Sequence, residues 1–123
     1  MKYILLIYET ASNLESRKAP GPDPYIAAWR AYHKALVAAE AYVGGAPLKD
    51  VATATIVRLK EGRRHVQDGP FAEAKEQLGG FIIVDVPSLD EALEWAARCP
   101  AAATGSVEVR PVDVGYHDTY DRP

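Results

Sequence analysis

Asp68 stands before Gly69-Pro70-Phe71, and Glu73, Lys75 and Glu76 follow on the same short segment. A carboxylate at such a turn can act as a general base, or anchor a substrate hydroxyl, where its neighbours exclude water. Glu73, Lys75 and Glu76 can clamp a polar ligand, with Lys75 facing an anionic group. Each has a plainer reading as well: Asp before Gly-Pro caps its own turn through its side chain, and charges along a loop are commonly solvated. Loops that carry specific charges on a rigid sheet are where sites form, which favours the functional reading of Glu73, Lys75 and Glu76, while for Asp68 the turn cap is favoured.

His33 is the second acid-base candidate. It shares a helical face with Trp29, Leu36 and Glu40, so it either reaches a cleft at the sheet or is a hydrogen-bonded core histidine. Glu40 is two turns further along and does not touch it. Glu108 and Arg110 fall on one face of a strand. Arg110 there either binds a carboxylate or phenolate, or forms an ion pair within the sheet or across a dimer. Tyr3 and Tyr8 lie on opposite faces of the first strand, each with its hydroxyl at a wet edge, and either can line a pocket. Cys99 sits at a helix C-terminus, which disfavours a thiolate, and is read as structural. His117, Asp118 and Asp121 belong to an aperiodic tail. No glycine-rich phosphate loop or metal-ligand spacing is present, so neither metal nor cofactor is expected.

These residues have one domain to position them. The chain has 123 residues, 48% hydrophobic and 25% charged, a globular composition. A net charge of −3 argues against a nucleic-acid binder, since only Arg63 and Arg64 cluster. A single cysteine excludes an internal disulfide and fits a reducing cytoplasm. The apolar opening run is stopped by Glu9, too soon for a secretory signal, and no stretch approaches the ~20 apolar residues of a membrane span.

Tyr3-Ile4-Leu5-Leu6-Ile7-Tyr8 reads as a central strand buried on both faces. Residues 11–22 read as a loop. Asp23-Pro24 starts a helix, with Asp as N-cap and Pro at the first helical position, running to about Tyr42. Ile26, Trp29, His33, Leu36 and Glu40 form one face, and Ala27, Ala31, Lys34 and Ala38 the solvated one. Gly44-Gly45 closes this helix with a left-handed cap. Residues 52–59 and 64–67 read as a hairpin, Asp68 to Phe71 as a turn, and Ala72 to Leu78 as a turn or two of helix. Phe81 to Val86 is a second apolar strand, lying beside the first. Ser88-Leu89-Asp90-Glu91 is a capping box, opening a helix with Leu89, Ala92, Leu93 and Ala96 buried and Pro100 at its end. Residues 106–112 form the last strand. The pattern predicts an α+β sandwich of ferredoxin-like type, its antiparallel sheet covered on one face by two helices. The other face would expose Ile, Leu and Val, so a homodimer with two sheets packed face to face is expected.

With these elements placed, residues 68–80, Asp-Gly-Pro-Phe-Ala-Glu-Ala-Lys-Glu-Gln-Leu-Gly-Gly, resemble the signature of DGPF-domain proteins, a branch of the YCII-related family. The likeness extends through the first strand, Ala52-Thr53-Ala54-Thr55, the capped helix and residues 105–111, giving a domain over residues 1–114 and a tail over 115–123. The resemblance implies a ferredoxin-like fold, a dimeric α/β barrel, a bacterial source and association with alternative sigma factors. It also implies a family in which a histidine near the start of the first helix and an aspartate before a helix-ending proline work as a pair, one activity being dehydrochlorination of a chlorinated hydroxyhydroquinone. Here Cys99 precedes Pro100, and His33 sits about a turn beyond the corresponding place, so the pair is not preserved. Two functions follow as expectations. One is a small polar or aromatic molecule bound beside the Asp68-to-Gly80 loop, with a cofactor-free lyase or isomerase chemistry. The other is a non-enzymatic dimer acting through protein contacts in a sigma-factor-associated regulatory or stress pathway.

Overall fold

The computed structural model describes residues 1–18, 20–68, 75–113 and 115. Strand β1 (Lys2–Thr10) alternates, with Tyr3, Leu5, Ile7 and Glu9 buried and Ile4, Leu6 and Tyr8 half-buried between them. A strand sends successive side chains to opposite faces, so one face of β1 meets the helices and the other is incompletely covered within the chain. This corrects the expected burial on both faces. A short helix, α1 (Ala11–Ser16), follows where a loop was expected; Thr10 caps it, its Oγ1 accepting from the Asn13 amide at 3.2 Å. Helix α2 (Pro24–Ala38) starts at Asp23, whose carboxylate accepts from the amides of Tyr25 at 2.8 Å and Ile26 at 3.3 Å.

Helix α2 stops short of Tyr42. The left-handed residue after it is Glu40, at φ 57°, and the Ala41 amide returns to the Leu36 carbonyl. Gly44 and Gly45 instead lie in strand β2 (Tyr42–Pro47), paired with β5. Glycine is required there by close strand approach: a Cβ on Gly45 would stand 2.4 Å from the Phe81 carbonyl oxygen.

Strands β3 (Thr55–Lys60) and β4 (Arg63–Asp68) form a separate two-stranded sheet, turned through Glu61 and Gly62 at positive φ. The expected hairpin therefore stands outside the main sheet, and β2 is the strand that pairs with β5 at its edge. Strand β5 (Glu76–Asp85) begins earlier than Phe81, so residues 76–78 are strand rather than helix; residues 72–74 lie outside the described residues. Helix α3 (Leu89–Arg98) is capped by Ser88, whose Oγ accepts from the Glu91 amide at 3.3 Å, and Pro100 opens a 3₁₀ turn after it. Strand β6 (Ser106–Pro111) completes an antiparallel sheet of order β2-β5-β1-β6. This is the ferredoxin-like arrangement.

Helices α2 and α3 cover one face, over a core of Tyr3, Leu5, Ile7, Tyr32, Leu36, Val84, Val86, Ala92 and Ala96. Leu89 and Leu93 are exposed, contrary to expectation, because α3 is rolled toward Trp95. Trp95 packs edge-on against Tyr32, carries the Arg98 guanidinium 4.2 Å above its ring, and offers its carbonyl to the Tyr32 hydroxyl at 2.7 Å. The half-buried ring packs beside the buried Ala92 and Ala96, and the leucines turn outward. On the opposite face of the sheet, Ile4, Leu6, Phe81 and Ile83 are half-buried with no helix above them. Among the described residues no helix is long and apolar enough to cross a membrane.

Candidate functional site

Between α2 and the helix-facing side of β1, β2 and β5 lies a cavity of about 570 Å³. One wall is α2, through Ile26, Trp29, Arg30 and His33; the opposite wall is Ile7 and Ile82. Gly45, Gly79 and Gly80 line it without contributing side chains. A Cβ on Gly80 would stand 2.8 Å from the Ala46 carbonyl oxygen, so close pairing of β2 and β5 demands the small residue. The requirement that lets the strands approach thus also leaves space beneath the helix.

Glu9 lies at the polar end of this cavity, with 1% of its surface exposed. A lone buried carboxylate is costly, and its neighbours offset the cost. The Arg17 guanidinium lies 2.6 Å from Oε2, and the Tyr25 hydroxyl donates to Oε1 at 2.5 Å. Arg17 is itself held by the Gly79 carbonyl at 2.9 Å and by the Leu48 carbonyl. Gly79 is the residue skipped in the pairing of β5 with β1, where Ile7 faces Gly80 and Tyr8 faces Leu78. A Cβ there would fall 1.8 Å from Glu9 Oε2, so the bulge and its glycine make room for the carboxylate. Burial, and then the hydrogen bond to Glu9, push the Tyr25 phenol far above its usual range, so it keeps its proton and holds Glu9 as a hydrogen-bond donor. Trp29 meets Tyr25 and Tyr32 edge-on, and His33 meets Tyr42 edge-on at 4.7 Å, which fixes the aromatic wall.

Of the residues singled out from sequence, His33 lines this cavity. It is exposed, which corrects the core reading, and Glu40 lies beyond the end of its helix. Asp68 ends β4, exposed and opposite Thr55, and does not line the cavity. Lys75 and Glu76 are exposed at the start of β5, Glu76 accepting from the Ser106 hydroxyl at 3.3 Å. Glu73 lies outside the described residues. Tyr8 and Arg110 come together on the helix-free face, both on Glu108: the Tyr8 hydroxyl at 3.3 Å and Arg110 Nε at 2.6 Å. Arg110 is thus in the ion pair within the sheet. Lys34, assigned to the solvated face, lines the cavity. Cys99 is buried, and burial raises its thiol to about 11. The sequence reading missed Glu9, Arg17 and Tyr25.

The fold and cavity can be set beside known proteins. A family model for the YCII-related domain matches residues 1–114. The chain belongs to the YCII-related family. A relative, an uncharacterised protein of Rhizobium meliloti (strain 1021), is 49% identical over 69 residues, 54% of this chain and 56% of its own, so the chain spans about half the length of that relative. A solved structure, 5-chloro-2-hydroxyhydroquinone dehydrochlorinase from Burkholderia phenoliruptrix AC1100 in complex with 2,5-dihydroxybenzoquinone, superposes with a TM-score of 0.55. It covers 95% of this chain and 98% of its own at 20% identity, a likeness of fold.

Proposed function

We propose that this YCII-related protein binds a small polar or aromatic molecule in the cavity beneath α2, beside the Gly79-Gly80 end of the signature segment, and transfers a proton on it in a lyase-like or isomerase-like reaction. The observation that carries this reading is a largely apolar cavity of about 570 Å³ ending at a buried carboxylate. That size suits a small ligand, and few polar groups in an apolar enclosure are what orient one. Glu9 is the group to accept a proton, with the Tyr25 hydroxyl hydrogen-bonded to it and His33 on the α2 side of the same cavity; carboxylate and imidazole suffice for elimination or isomerisation. The dehydrochlorinase of the same fold, with a ring-shaped ligand, agrees in reaction class with this reading.

A thermal-shift screen with phenols, hydroxyquinones and small carboxylates tests it, because a ligand that binds only the folded state raises its melting temperature. The expected result is an increment in the wild type that is lost in Ile26→Trp, which fills the cavity from its rim, and reduced in Glu9→Gln. An increment undiminished in Ile26→Trp would place the ligand elsewhere.

A second reading, contacts with protein, draws on two apolar surfaces. Ile4, Leu6, Phe81 and Ile83 on the helix-free face suit a homodimer closed sheet against sheet. Val57, Leu59 and Val66 are 57%, 74% and 56% exposed on the β3–β4 hairpin and offer a surface for a further partner. In this reading the protein acts as a non-enzymatic dimer, and Val57→Ser/Leu59→Ser abolishes its activity in the cell while leaving ligand binding intact.

A further inference from the structure

The rim of the cavity carries a charge that its interior does not balance. The charged side chains lining it, apart from His33, are Glu9, Arg17, Arg30 and Lys34. Glu9 and Arg17 neutralise each other at 2.6 Å. Arg30 and Lys34 remain, one turn apart on α2, both exposed, and neither makes an ion pair among the described residues. Like charges four apart on a helix repel and cost helix stability. Here the repelling pair sits at the mouth of an apolar cavity, where an anion relieves the repulsion.

We infer that the ligand of this cavity is an amphipathic monoanion: a flat apolar body seated between Trp29 and the Ile7–Ile82 wall, with one carboxylate at the rim against Arg30 and Lys34. The inference rests on the cavity being the ligand site and specifies which molecules fit it. The cavity lining holds two polar groups of different charge, the neutralised Glu9–Arg17 pair and the cationic Arg30 and Lys34. At the inner end, Arg17 and the Tyr25 hydroxyl are already committed to Glu9, so a carboxylate there finds no free cation and meets Glu9 as a like charge. At the rim, Arg30 offers a planar guanidinium, which holds carboxylate oxygens through paired hydrogen bonds, and Lys34 adds a second cation. A substrate acid therefore enters with its ring toward Trp29 and its charge outward. The interior prefers a neutral hydroxyl or an acidic C–H facing Glu9, which leaves the reacting atom at the inner end and the recognition group at the rim.

Isothermal titration of the full chain with 2-naphthoate, 2-naphthamide and 2-naphthol separates the possibilities, since all three share a ring system and differ in the polar group. The expected result is 2-naphthoate bound about tenfold more tightly than either neutral analogue. That preference disappears in Arg30→Gln/Lys34→Gln and shrinks as ionic strength rises from about 0.02 to about 0.3 M. Both substitutions are on exposed helix positions, and an unchanged far-ultraviolet circular dichroism spectrum confirms that the variant is folded. Equal binding of the three probes by the wild type would overturn the charge preference while leaving the cavity as the ligand site. A preference retained in the double variant would overturn the assignment to Arg30 and Lys34. No binding of any probe by the folded wild type would overturn both readings.

Discussion

Glu9 occupies a core-facing position in series with Tyr3, Leu5 and Ile7, and its charge is tolerated there because Arg17 and Tyr25 occupy both carboxylate oxygens. Removing one partner of a buried pair leaves the other charge uncompensated, which costs more than the pair contributed. Arg17→Met is therefore expected to lower the unfolding free energy by about 3 kcal/mol in urea titrations. Gly79→Ala drives a methyl into the same carboxylate, and a loss of about 1–3 kcal/mol is expected by the same measurement. Cys99 gives a pH signature. Its thiol is raised from 9.0 to about 11, so the folded state holds the proton more tightly than the unfolded chain does. The stability this supplies is complete below pH 9 and is lost as pH rises toward 11, with a limiting slope of about 1.4 kcal/mol per pH unit. Denaturation of Cys99→Ala between pH 9 and pH 10, compared with wild type, should show that slope weakened. The polar site was partly legible: parity along β1 places Glu9 on the face of Leu5 and Ile7, where a charge requires a partner. Reading it only as the end of an apolar run hid that signal, and no local spacing links it to Arg17 or Tyr25.

The elements that were secure in sequence are those with local punctuation. Asp23-Pro24 and Ser88-to-Glu91 each start a helix through side-chain contacts made within a few residues, and both form as expected. Asp23→Ala should cost about 1 kcal/mol and, by loosening the first turn of α2, weaken ligand binding at Ile26 and Trp29 as well. Gly44-Gly45 misled because glycine serves two ends: it closes helices by adopting positive φ, and it admits a neighbouring strand. The long-range pairing of β2 with β5 decided between them, and no local pattern reports it. The β3–β4 hairpin was recognised by its β-branched run and its Glu61-Gly62 turn, but its separation from the main sheet follows from that sheet's being filled by β2.

At the scale of the whole molecule, two sets of apolar residues divide the work. The helix-facing side of the sheet makes the core and, where Gly45, Gly79 and Gly80 replace side chains, the cavity. The helix-free side carries Ile4, Leu6, Phe81 and Ile83, and Leu6→Glu is expected to turn a dimer in sedimentation velocity at micromolar concentration into a monomer near 13.4 kDa. The ferredoxin-like order and the family were legible from the strand and helix sequence together with the residues 68–80 motif. The position of the cavity was not, because it arises where Gly45 meets the distant Gly79-Gly80 pair beneath a helix. The most direct measurement of the central claim is an amide NMR titration of the full chain with 2-naphthoate. The cavity account predicts shifts confined to the Trp29 indole, Arg30, His33, Lys34 and the amides of Gly45, Gly79 and Gly80. Shifts confined to Tyr8, Glu108 and Arg110, or to the β3–β4 hairpin, would contradict it.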